Sequence, residues 1–268
     1  MDRLMVLRLD VQGCEAEAQF NGVPLLRATA QQPVALLPVH EFTLVGGNEL
    51  ALVLHPGPAG AAPPPPEPRL ADGQTFASLR LLLPRLDGVA HPASARSLAQ
   101  LDWAPAADSV YEAPLTLRHA VQLPTAFPRW RWLDAPPVTD VAASRPLVAA
   151  FLLEIALGLA RGNPEPWLQA TRLRLEEQAS AYQRPLADDV ARLRRHLAGL
   201  QAQGLKMVLP AAAQLQLRPV AGGRLLDCLA SDGGPALRGS LAGGGHSGAQ
   251  LAWPARVAVV EGRCYVLR

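Results

Sequence analysis

The apolar residues change their spacing twice along this chain, and only an architecture with both sheets and helices accommodates the two periods. From Leu4 to Leu54 short extended runs (LMVLRLDV, EAEAQF, VPLLRA, PVALLPV, ELALVLH) are separated by turn residues. Alternation is clearest in Glu15–Phe20 and Leu50–Leu54, the period of two that sets one strand face on a core and the other in water. After Pro146 the period becomes helical. Leu147–Arg161 is apolar nearly all round, and Leu186, Val190, Leu193, Leu197 and Leu200 follow at intervals of 4, 3, 4 and 3, one stripe of a helix lying on a core. Extended runs then return as LQLRPV, RLLDCLA, PALRGSL, ARVAVV and RCYVLR.

Turn chemistry sharpens the strand assignments. Asn21-Gly22 is the strongest two-residue hairpin signal, because a type I′ turn needs positive φ at both positions. Gly46-Gly47-Asn48 is a second turn of the same kind. A tight turn at Glu261-Gly262 sets Val259 opposite Cys264 and Val257 opposite Val266, one wholly apolar face; Arg256, Ala258, Val260, Arg263, Tyr265 and Leu267 take the other. Between His55 and Pro68, proline removes backbone donors and favours polyproline II, so a loop with no ladder through it is expected. FASLRLLLPRL, SLAQLDW and LTLRHAVQLP resume the strands, and FPRWRWLDAPP closes the region.

The fold class expected is α+β. An antiparallel β-sandwich over residues 1–140, with its Pro-rich loop at 55–68, is followed by an α+β unit at 146–268 whose three helices pack on a C-terminal sheet of four or five antiparallel strands. The middle helix is expected to start from Asn163 as N-cap, with Pro164 first and Glu165 in its opening turn, and to run to Gln183. On the third helix, Asp188 and Arg192 are spaced to pair. Two domains also suit a chain of 268 residues.

Charge and composition narrow the partners. A net charge of +2, 18% charged residues and 5% aromatics lack the basic excess that nucleic acid or an anionic membrane demands, so neither is expected as a partner. Only Lys206 among the 25 basic residues is a lysine, and Ala, Arg, Pro, Gly and Leu dominate, a bias of GC-rich bacterial genomes. Cys14, Cys228 and Cys264 lie too far apart for a disulfide framework or a CxxC metal spacing and read as small buried hydrophobes. Arg3, Arg8 and Asp10 interrupt what a signal peptide would need, so a cytoplasmic location is expected. The longest apolar run, LVAAFLLEIALGLA, has 14 residues, one of them Glu154, and is shorter than the roughly 20 that span a bilayer. The six histidines never approach metal-ligand spacing, and GGGHSG at Gly243–Gly248 lacks the lysine and helix of a phosphate loop and reads as a hairpin loop. No cofactor or metal is expected.

The candidate chemistry is short. Glu154 interrupts an apolar helix; it either marks an exposed stripe or pairs with Arg161 or Arg172, or else a buried carboxyl is being tuned as a general acid. Asp227 shares a strand face with Leu225 and Leu229 and points either to solvent or into a pocket between sheet and helices, where Tyr265 could join it. Trp130 and Trp132 fall on one face of an expected strand, with Arg129 and Arg131 on the other. They either anchor the seam between the two halves or form a stacking platform for a sugar. His196, beside Arg194 and Arg195, reads as surface.

EAQFNGVPLL followed by GGNELALVL resembles the galactose-binding-like β-sandwiches that accompany bacterial glycosidases. The shared residues, Asn21, Gly22, Gly47, Asn48 and Leu50, are turn and core positions, so the resemblance implies the fold and carries no sugar ligand with it. GGRLLDCLASDGGPALRG and VAVVEGRCYVLR resemble the nuclear-transport-factor-like group, in which helices pack over a curved antiparallel sheet and the cone between them is an active site in some members and a binding surface in others. The function expected is a non-catalytic bacterial binding protein with a protein partner, of the accessory, adaptor or immunity type that serves secretion or toxin systems. The alternatives are a small-molecule cyclase, isomerase or dehydratase using Asp227 or Glu154 with Tyr265 in the cone, and a carbohydrate-binding module using Trp130 and Trp132.

Overall fold

The computed structural model describes residues 4–59, 64–85, 88–241 and 250–268. The chain is α+β and forms two compact units, one from the described residues of 1–57 and 61–129, the other from those of 58–60 and 130–268. Trp130 to Val138, grouped by sequence with the first half, therefore belong to the second unit.

The strands of the first unit are β1 (Val6–Gln12), β2 (Ala16–Phe20), β3 (Val23–Ala28), β4 (Val34–Pro38), β5 (Gly46–Leu54), β6 (Glu67–Leu70), β7 (Phe76–Leu83), β8 (Arg96–Trp103), β9 (Val110–Ala113) and β10 (Leu115–Leu123). They form antiparallel sheets of order β4-β1-β7-β8 and β10-β5-β2-β3, with β6 and β9 as a separate ribbon. Register explains the sandwich core. Leu7 and Leu9 lie opposite Leu81 and Leu79, while Ala16, Ala18 and Phe20 lie opposite Leu54, Leu52 and Leu50, and all ten are fully buried. Each set is every second residue of its strand, as the period of two requires.

Asn21 and Gly22 adopt φ of 53° and 73°, so the Asn-Gly turn forms as read from the sequence. The asparagine also does more than turn the chain. Its Nδ2 donates to Phe42 O and to Asn48 Oδ1, both at 2.8 Å, and its Oδ1 accepts from Glu49 N at 2.9 Å. Asn48, buried, bonds both backbone groups of Leu44 and the carbonyl of Gly46. Gly46-Gly47-Asn48 open β5 instead of forming the expected second turn, and the Asn-Gly turn and this strand start are one hydrogen-bonded unit tying β2 to β5. The proline-rich segment needs one correction: its last residues enter a ladder, Glu67 opposite Ala113 and Pro68 opposite Glu112, in the short ribbon where a missing donor costs least.

The second unit comprises α1 (Val141–Ala160), α2 (Glu165–Ala170), α3 (Arg172–Ala181), α4 (Leu186–Ala202), β11 (Leu205–Val208), β12 (Gln216–Val220), β13 (Leu225–Leu229), β14 (Leu237–Leu241), β15 (Gln250–Trp253), β16 (Arg256–Val260) and β17 (Arg263–Val266). Its strands are more numerous than expected and make two antiparallel sheets, β11-β14-β15 and β12-β13-β16-β17. The closing hairpin has the register expected, Val259 opposite Cys264 and Val257 opposite Val266. With Leu217, Leu226 and Cys228 these residues meet Val148, Leu152, Ile155, Ala156 and Leu159 of α1 in one core.

Two helix expectations change. α1 starts before Pro146, with Asp140 Oδ1 accepting from Ala143 N at 2.9 Å. By length and composition this helix could cross a membrane, although its inner face is built into the core. The expected middle helix is broken at Thr171, whose hydroxyl donates to Trp167 O at 2.7 Å, the local bond that bends helices. Gly243–Gly248 lie outside the described residues.

Candidate functional site

The carboxylates singled out by sequence do not converge. Leu226 and Cys228 of β13 face the helical core, so alternation puts Asp227 on the sheet's far face rather than in a pocket under the helices. Asp227 is nevertheless buried, because both of its cross-strand neighbours are arginines: Arg218 Nη2 lies 3.0 Å and Arg256 Nε 3.7 Å from its oxygens. Its role is that of a counter-ion between two strands. Tyr265, half-buried, shares the far face, opposite Ala258. Glu154 is exposed on α1, the stripe reading of that helix.

Trp130 and Trp132 do not alternate along a strand; a 3-10 turn at Arg131–Leu133 carries them, and both are buried. The Arg268 guanidinium lies 5.5 Å from the Trp130 ring centroid and pairs with buried Glu177. Glu177 also accepts from Arg131 N at 2.6 Å. Enclosed rings of this kind fix the start of the second unit and offer no open stacking face.

A different set of residues does converge. Because α3 begins afresh after Thr171, Arg174, Leu175 and Gln178 fall on one face of it. Asp189, Arg192, Leu193 and His196 fall on one face of α4 by the same spacing, and the two faces flank a cleft of about 490 Å³. Trp167 of α2 and Trp253 of β15, both buried, supply apolar floor, and exposed Ala252 and Pro254 form a rim.

The polar groups of the cleft are held in place. Asp189 is only 5% exposed in its side chain, and it accepts from Arg184 Nε at 3.1 Å and from Arg192 Nη2 at 2.8 Å. Arg184 also lies over the Tyr182 ring, 4.9 Å from its centroid. Arg174 Nη1 reaches Pro254 O at 3.5 Å. The expected Asp188–Arg192 pair is replaced by Asp189–Arg192, three residues apart, because Asp189 faces the cleft whereas Asp188 is exposed. Three guanidiniums against one carboxylate leave the cleft positive. Planar guanidinium forks of this kind bind and orient an anion.

His196 lines this cleft while remaining exposed, so its surface assignment stands and its neighbourhood is new. The signal in the sequence was faint: Arg174 and Gln178, then Asp189, Leu193 and His196, each at helical spacing. Nothing in it announced that β15 would supply Trp253 between them. Among the described residues no group of three or more His, Cys, Asp or Glu side chains is placed to hold a metal. No protein-family model, curated protein or solved structure matches the chain.

Proposed function

We propose that this chain is a cytoplasmic bacterial binding protein without chemistry of its own, an accessory, adaptor or immunity-type component of the kind that serves secretion or toxin systems, and that a protein partner docks in the cleft of its second unit. The observation that carries this reading is the cleft itself: a fixed positive field from arginines braced on a buried carboxylate, beside apolar walls, at a solvent-open rim. Such a lining recognises charge and shape. The enzyme alternative would use Asp227, Glu154 and Tyr265, none of which lines this cleft. The first unit acts as a galactose-binding-like scaffold and the second as a nuclear-transport-factor-like one, a reading supported by the order of their elements and the turn residues they share with those families.

The test is affinity capture from the native host with tagged wild-type chain and with Ala252→Trp, a substitution at an exposed rim position that fills the cleft without disturbing the core. A partner retained stoichiometrically by wild type and lost by the variant supports the reading. A partner held equally by both would refute it.

A further inference from the structure

Resting on the cleft as the docking site proposed above, we infer that its occupant is an acidic peptide segment of the partner, with carboxylates and apolar or aromatic side chains close together in sequence. The charge points first to an anion. Asp189 spends only Nε of Arg184 and Nη2 of Arg192, and among the described residues the other nitrogens of these two guanidiniums carry no hydrogen bond. Their side chains are 40% and 58% exposed, so those donors are open to a ligand, in the planar fork that suits carboxylate. The bracing on Asp189 and on the Tyr182 ring means that little side-chain freedom is left to lose on binding.

The walls decide what accompanies the charge. Leu193 and Trp253 stand beside the arginines, so a ligand of charge alone would leave apolar surface uncovered. A polynucleotide would want a long basic track, and the chain as a whole carries a net charge of only +2. An enclosed small molecule is less suited to a cleft where Arg184, Arg192 and the rim residues Ala252 and Pro254 stand in solvent. A chain segment passing along the cleft, acid against arginine and an apolar side chain toward Trp253, satisfies both surfaces.

The experiment is an array of capped hexapeptides in which Asp or Glu, or their amides Asn or Gln, alternate with Leu, Phe, Tyr and Trp, probed with the intact chain and followed by fluorescence titration of the strongest binders. The best acidic peptides should bind about tenfold or more tighter than their amide counterparts, the worth of one charge-assisted hydrogen bond. That preference should collapse in Arg192→Gln, which leaves Arg184 to pair Asp189, and in Ala252→Glu, and should fade near 1 M salt, where screening acts within about 3 Å. Equal binding of acid and amide peptides, or no binding above that of Ala252→Trp, overturns the inference. Tighter binding of free 3-phenylpropionate than of any peptide would overturn it too, assigning the cleft to small carboxylates. If Ala252→Trp abolishes partner capture while acid preference is absent, the docking site survives and the acidic class fails; the converse result fails the docking site itself.

Discussion

Removing either member of the Glu177–Arg268 pair should be among the most damaging single changes to the second unit. The Arg268 side chain is 0% exposed and that of Glu177 7%, so each charge has exchanged water for the other. Truncating one partner removes the counter-ion of a buried charge, a loss of about 3–5 kcal/mol, whereas an exposed pair such as Arg194–Glu165 is worth about 0–1 kcal/mol. Glu177→Leu with Arg268→Met leaves no orphan charge. It forgoes the contact with Trp130 and the bond from Arg131 N, about 1–3 kcal/mol together. The double variant should therefore lose far less than the two single losses combined, with a coupling energy of about 2 kcal/mol or more. Guanidinium unfolding followed by tryptophan fluorescence and far-UV circular dichroism, on wild type, both singles, the double and Arg194→Ala, measures all of this. If the singles cost no more than Arg194→Ala, or if the losses simply add, the account of this pair as a charge lock around Trp130 is wrong.

Three further outcomes are expected. Asn48→Ala should cost about 2–4 kcal/mol by equilibrium unfolding, since it strands the Leu44 amide and carbonyl and removes one of the three bonds of the Asn21 side chain. Gly158→Ala should destabilise by about 1–3 kcal/mol, because a Cβ there would sit 2.7 Å from Pro166 Cγ, reversing the sign of the usual helical preference for alanine. The hydrogen bond from Arg172, aided by Arg131, holds the Glu176 carboxyl below its ordinary value against the opposing effect of burial. Its contribution is therefore present above the unfolded pKa of about 4.3 and lost as pH falls through the folded one, so Glu176→Gln should flatten the acid limb of a stability–pH curve.

Features that depend only on neighbours along the chain were legible before any packing was known. The switch of period near Pro146, the positive-φ turns at Asn21-Gly22 and Glu261-Gly262, and the apolar face of the closing hairpin all arise within a few residues, and the α+β class follows from them. The tertiary structure decided everything that depends on which strand lies beside which. Period-two alternation tells that Asp227 faces away from Leu226, but only strand order reveals that Arg218 and Arg256 flank it and that the helices cover the other side. Trp130 and Trp132 read as a strand face; both are buried, and the partners that fix this turn, Arg268 over the Trp130 ring and Glu177 on the Arg131 amide, lie far away in the chain. The cleft is the furthest from local reading, since it needs the helix break at Thr171, the choice of Asp189 over Asp188, and the arrival of Trp253 from β15. Helical spacing places side chains on a face, and only packing says what that face looks at.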